Sequence, residues 1–104
     1  MAISTDTKVT AAQLGSAAHL VGQRLTDLGV TEVDVISARQ TYDPEQPIEV
    51  AVQALPGQVG RVAALLDLPA PTTFEDYQHA HRALLVGLPF LVRVEVYGRV
   101  AVTL

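Results

Sequence analysis

The last stretch of the chain constrains the fold most. In Val92, Val94, Val96, Gly98, Val100, Val102 and Leu104, every second residue is apolar or glycine, and Arg93, Glu95, Tyr97, Arg99, Ala101 and Thr103 lie between them. Period-two alternation of this kind marks a strand with one face buried and one face wet. It outlasts the five or six residues of an ordinary strand. Two readings follow. Either one long strand passes through Gly98 with a bulge or kink there, or Tyr97-Gly98-Arg99 forms a three-residue loop that pairs Val96 with Val100.

A chain of 104 residues is one domain by length. Its hydrophobic share of 49% is enough for a packed core without metals or disulfides. With no cysteine, thiolate catalysis and Cys-ligated zinc are excluded. Residues 1–9 read as a polar arm and 10–104 as a single α+β domain. The N-terminus shows no charged and then apolar pattern of a secretory signal, and no stretch is apolar enough to span a membrane. The expectation is a soluble, cytoplasmic protein. A net charge of −4 argues against nucleic acid as the main partner, because phosphate neutralisation dominates that affinity.

Ahead of the final strand, Thr10-Ala-Ala-Gln13 fits a capping box, and Leu14, Ala18, Val21, Leu25 and Leu28 fall on one helical stripe closed by Gly29. A first helix is expected over 11–28. Residues 33–42 and Ile48, Val50, Val52 and Ala54 read as two strands of an antiparallel hairpin, turned at Asp43-Pro44-Glu45-Gln46. After Pro56-Gly57, residues 58–66 read as a short second helix. Thr72-Thr-Phe-Glu75 matches a second capping box, predicting a third helix over about 73–86 that buries Phe74, Tyr77, Leu84 and Leu85.

The expected order is therefore α-β-β-α-α-β. The helices cover one face of a mainly antiparallel sheet of three strands, or four if Gly98 folds the last one back. Counting chain reversals sets the last strand antiparallel to the second, in the order 1-2-3, or else beside the first and parallel to it. This order of elements resembles that of type II K-homology domains, which bind single-stranded nucleic acid. The resemblance implies a G-x-x-G between the two central helices. The junction here, Leu68-Pro-Ala-Pro-Thr72, has no glycine, so no binding residues carry over.

No catalytic constellation or cofactor motif is legible. Ser16 and Ser37 lack a nucleophile elbow. On a helix, His79 and His81 would point about 200° apart and could not share a metal. Gly57 and Gly60, with Arg61 beside them, stand at a strand-to-helix junction that could hold an anion.

The wet sheet face is expected to gather Glu49, Gln53, Arg93, Glu95, Tyr97, Arg99 and Thr103, whose mix of charge, Tyr and Arg suits a protein interface. The expected function is accordingly a non-enzymatic interaction domain with a protein partner or a second copy of itself, associating through that face or through the edge of the final strand. The alternatives are a ligand-binding or hydrolytic pocket between helices and sheet, near His79, His81 or Arg61, and a K-homology-like single-strand binder.

Overall fold

A computed structural model describes residues 9–101. Residues 1–8 of the expected arm over 1–9, and residues 102–104 at the end of the expected final strand, lie outside the described residues. Helix α1 spans Ala11–Asp27, strands β1 and β2 span Val35–Gln40 and Ile48–Gln53, and helix α2 spans Val59–Leu65. Strands β3, β4 and β5 follow at Thr72–Phe74, Tyr77–Leu84 and Val92–Arg99. The sheet order is β1-β2-β5-β4-β3. All neighbours are antiparallel except β2 and β5, which run parallel.

The first helix forms where its local chemistry places it. The Thr10 side chain accepts from the Gln13 N–H at 3.1 Å, and the Thr10 N–H donates back to Gln13 Oε1 at 3.0 Å. At the other end Gly29 adopts φ 91, the Val30 N–H reaches the Leu25 carbonyl at 2.8 Å, and the Gly29 N–H reaches that of Thr26 at 3.0 Å. Together these make a Schellman close. Ala17, Val21 and Leu25 form its buried stripe, while Leu28 is left exposed. In α2 the inward residues are Val59, Val62 and Ala63, with Leu66 buried just after it. Both helices lie on the same side of the sheet, over a core of Ile48, Val50, Val52, Val92, Val94 and Val96 that is closed to solvent. Each such side chain contributes about 1.5–3 kcal/mol by burial.

The sheet corrects several sequence expectations. The third helix expected over 73–86 does not form there: the stretch holds the β3–β4 hairpin, turning at Glu75-Asp76 with Glu75 at φ 53. What resembled a capping box at Thr72 and Glu75 is a strand running into that turn. The sheet has five strands and is mixed, so neither an all-antiparallel order 1-2-3 nor a last strand beside the first is correct. With α2 running back and two further strands reversing direction, β5 returns parallel to β2 and inserts between β2 and β4. The order α-β-β-α-β-β-β removes the basis of the K-homology resemblance.

Strand β5 does not fold back at Gly98. The strand passes through it to Arg99, with Gly98 opposite Gln78. A Cβ on Gly98 would lie 2.9 Å from the Ala54 carbonyl oxygen and 3.0 Å from Val59 Cγ2. The glycine marks the place where the end of β2 and the start of α2 press onto β5, and no turn is involved.

Candidate functional site

With both helices on one side, the other side of the sheet stays open, and the strand registers arrange its side chains in rows. Across the first row run Arg39, Glu49, Arg93 and Ala83; across the second, Ser37, Ala51, Glu95 and His81. The third holds Val35, Gln53, Tyr97, His79 and Thr72; the fourth, Arg99, Tyr77 and Phe74. Of the seven residues expected on the wet face, Glu49, Gln53, Arg93, Glu95, Tyr97 and Arg99 share it, and Thr103 lies outside the described residues.

The first row is a charge cluster. Glu49 faces the open side, yet only 8% of it is exposed, because arginines from both neighbouring strands lie against it. Arg39 Nε and Nη2 both approach Glu49 Oε1 at 2.7 Å, and Arg93 Nε stands 3.1 Å from Oε2. The Arg93 contact is ionic without an aligned hydrogen bond, so this buried Nε stays unsatisfied. One carboxylate thus ties three adjacent strands together. Beside it opens a depression of about 470 Å³, with Thr41, Tyr42, Asp43 and Gln46 of the β1–β2 connection on its wall.

The opposite end is aromatic. Phe74 and Tyr77 are 71% and 44% exposed. The Arg99 guanidinium sits 5.6 Å from the Tyr77 ring centroid, and its Nε donates to the Tyr77 hydroxyl at 3.4 Å. That hydrogen bond and the charge interaction with Tyr77, with smaller help from Asp76, hold the guanidinium above its ordinary pKa, and the cation lies over the aromatic face. The face as a whole carries Arg39, Arg93 and Arg99 against Glu49 and Glu95, with His79 and His81 in addition.

Several residues fall elsewhere than the sequence suggested. On β4, His79 and His81 point to the same side, since residues two apart on a strand share a face. Arg61, by contrast, lies on α2 across the sheet, so no single pocket between helices and sheet unites it with the histidines. The Gly57 N–H is bonded to the Arg99 carbonyl at 2.9 Å and the Gln58 N–H to that of Leu55 at 3.0 Å. Gly60 is the second residue of α2 and faces open space, and Arg61 shares a shallow depression with Glu32.

Ser37 and His81 stand in one row but three strand spacings apart, roughly 14 Å, which is too far for proton transfer. Among the described residues no three of His, Asp or Glu gather as a metal site, and no helix is long and apolar enough to cross a membrane. Sequence reasoning missed Arg39, Phe74 and Tyr77 as members of the face. Arg39 was recoverable from the β1–β2 hairpin register; the other two were hidden by the helical reading of β3 and β4. Comparison of the chain with known protein families, with curated proteins and with solved structures gives no match to any of them.

Proposed function

We propose that this chain is a non-enzymatic protein-interaction domain whose contact surface is the open face of its sheet. One observation carries the reading: five strands are covered by helices on one side only, and the bare side gathers exposed Phe74, Tyr77 and Arg99 beside half-buried Tyr97 and Arg93. These residue types supply most binding energy at protein interfaces. The partner is a protein, a second copy of this chain included. Near balance between arginines and carboxylates on the face, with Glu49 neutralising part of the positive charge, suits a mixed protein surface better than a phosphate backbone. Association through the edge of the final strand is no longer part of the reading, because β5 is paired on both sides.

The test compares the wild type with the double variant Phe74→Ser/Arg99→Glu, two exposed changes remote from the core. Affinity capture from the source cells and light scattering at high concentration are read side by side, with single-stranded oligonucleotides as a control. The expected result is that specific protein capture or self-association is lost in the variant while the circular dichroism spectrum is kept. Equal protein capture by both chains, with no self-association that the variant weakens, overturns the reading, as does salt-sensitive oligonucleotide binding without any protein association.

A further inference from the structure

The two edges of the sheet differ in a way that points to a second contact. Edge strand β3 is three residues long and is entered through Pro69 and Pro71, which have no N–H to offer. Edge strand β1 carries none of these protections. It runs six residues in unbroken register with β2 and contains no proline. Its one charged side chain, Arg39, is drawn inward onto Glu49 and does not guard the edge. The Thr41 N–H bonds the Pro47 carbonyl, which fixes the odd-numbered residues of this strand as the ones bonding to β2. The main-chain N–H and C=O groups of Ile36 and Ala38 therefore point out of the sheet.

We propose that β1 pairs edge to edge and antiparallel with β1 of a second copy of this chain. Its ends are oppositely charged: Glu32 and Asp34 lie just before it, and Arg39 near its close. Antiparallel pairing sets unlike ends together, whereas parallel pairing sets like on like. Centring the pair on Ser37 lets Ile36 and Ala38 of each copy exchange their bonds. It also brings Arg39 of one copy opposite Val35 and next to Asp34 of the other. On the helix side a groove of about 340 Å³ runs between α1 and β1, lined in part by Gly22, Leu25, Val33 and Ile36. It receives the Ala38 side chain of the second copy, and Gly22 keeps the groove open. The two-fold axis stands perpendicular to the sheet, so the product is one ten-stranded sheet with both open faces on the same side. This contact does not rest on the function proposed for that face.

Sedimentation equilibrium and amide hydrogen exchange, each across a wide range of protein concentration, test the pairing together with two variants. Ala38→Pro removes an N–H that the chain's own sheet does not use. Ser37→Cys puts the only thiol of a cysteine-free chain on the two-fold axis, at a spacing a disulfide can bridge. The expected result is a dimer whose Ile36 and Ala38 amides exchange more slowly as concentration rises, a monomeric Ala38→Pro, and a covalent Ser37→Cys dimer under mild oxidation. If Ala38→Pro fails to fold, the exchange data and the cross-link decide. A strict monomer at millimolar concentration overturns the proposal. So does a dimer that shows no change at Ile36 and Ala38, or one abolished by Phe74→Ser/Arg99→Glu, which would relocate the contact to the open face.

Discussion

Replacing Gly98 with alanine is the most direct test of how β5 is packed. The new Cβ would stand 2.9 Å from the Ala54 oxygen and 3.0 Å from Val59 Cγ2, where ordinary contact begins near 3.4 Å. Something must move by up to half an ångström. The Ala54 backbone cannot yield freely, because its N–H bonds the Tyr97 carbonyl at 2.9 Å, and Val59 is fully buried. Overpacking a core contact costs about 1–3 kcal/mol. Against this, replacing glycine by alanine restricts the unfolded chain and returns about 0.4–1 kcal/mol. The first effect wins, leaving a net loss of about 1–2 kcal/mol and a Tm lower by about 4–16 °C for a domain of this size. Urea unfolding followed by circular dichroism measures it, with Gly60→Ala as the matched control. Gly60 has nothing within 4 Å of its would-be Cβ and lies in a helix, so that change stabilises by about 0.5–1 kcal/mol. Combining Gly98→Ala with Val59→Ala should give a smaller loss than the sum of the two single changes, because one of the two clashes is gone. A Gly98→Ala chain as stable as the wild type would refute the close approach of α2 to β5.

Three other outcomes follow from the same structure. Glu49→Ala leaves Arg39 and Arg93 facing each other without their carboxylate, and thermal unfolding should show a loss of about 1–3 kcal/mol, held down by the solvent exposure of both arginines; Glu49→Gln should lose less. Glu75 holds φ 53 at the first position of the β3–β4 turn, so Glu75→Gly should raise the unfolding free energy measured in urea by a few tenths of a kcal/mol to about 1 kcal/mol. Thr10→Ala removes the N-cap of α1, and should cost about 1 kcal/mol in the same assay.

The parts legible in the sequence are those whose cause is local. The capping box at Thr10, the stripe at Val21 and Leu25 and the glycine at 29 specify α1 within a residue of its observed ends. The alternation of β2 and β5 fixes which side chains face the helices, and so the six expected open-face residues that are described do share it. Strands β3 and β4 were not legible, for a physical reason. Only Ala80 on the helix side of β4 is buried, so the strand carries no apolar alternation to read. Meanwhile Phe74, Tyr77 and Leu84 fall at spacings that a helix would also satisfy. The turn between the strands holds Glu75-Asp76, where a hairpin signal would show glycine or asparagine. The β-branched and aromatic run Thr72-Thr73-Phe74 was the one available hint of a strand.

The long alternating tail is where the two kinds of information separate. By itself the sequence determined that 92–99 is a strand and that its valines and Gly98 face the core, because period and hydrophobicity are properties of the segment alone. Only the tertiary structure decided that this strand lies at the centre of the sheet, between β2 and β4, and that Gly98 is an approach point for α2. Main-chain hydrogen bonds are the same for every residue type but proline, so a strand does not encode its neighbours. Which neighbours it takes depends on helices packing over distant segments, and on the hairpin of β3 and β4 needing the far side of β5 to satisfy its own backbone.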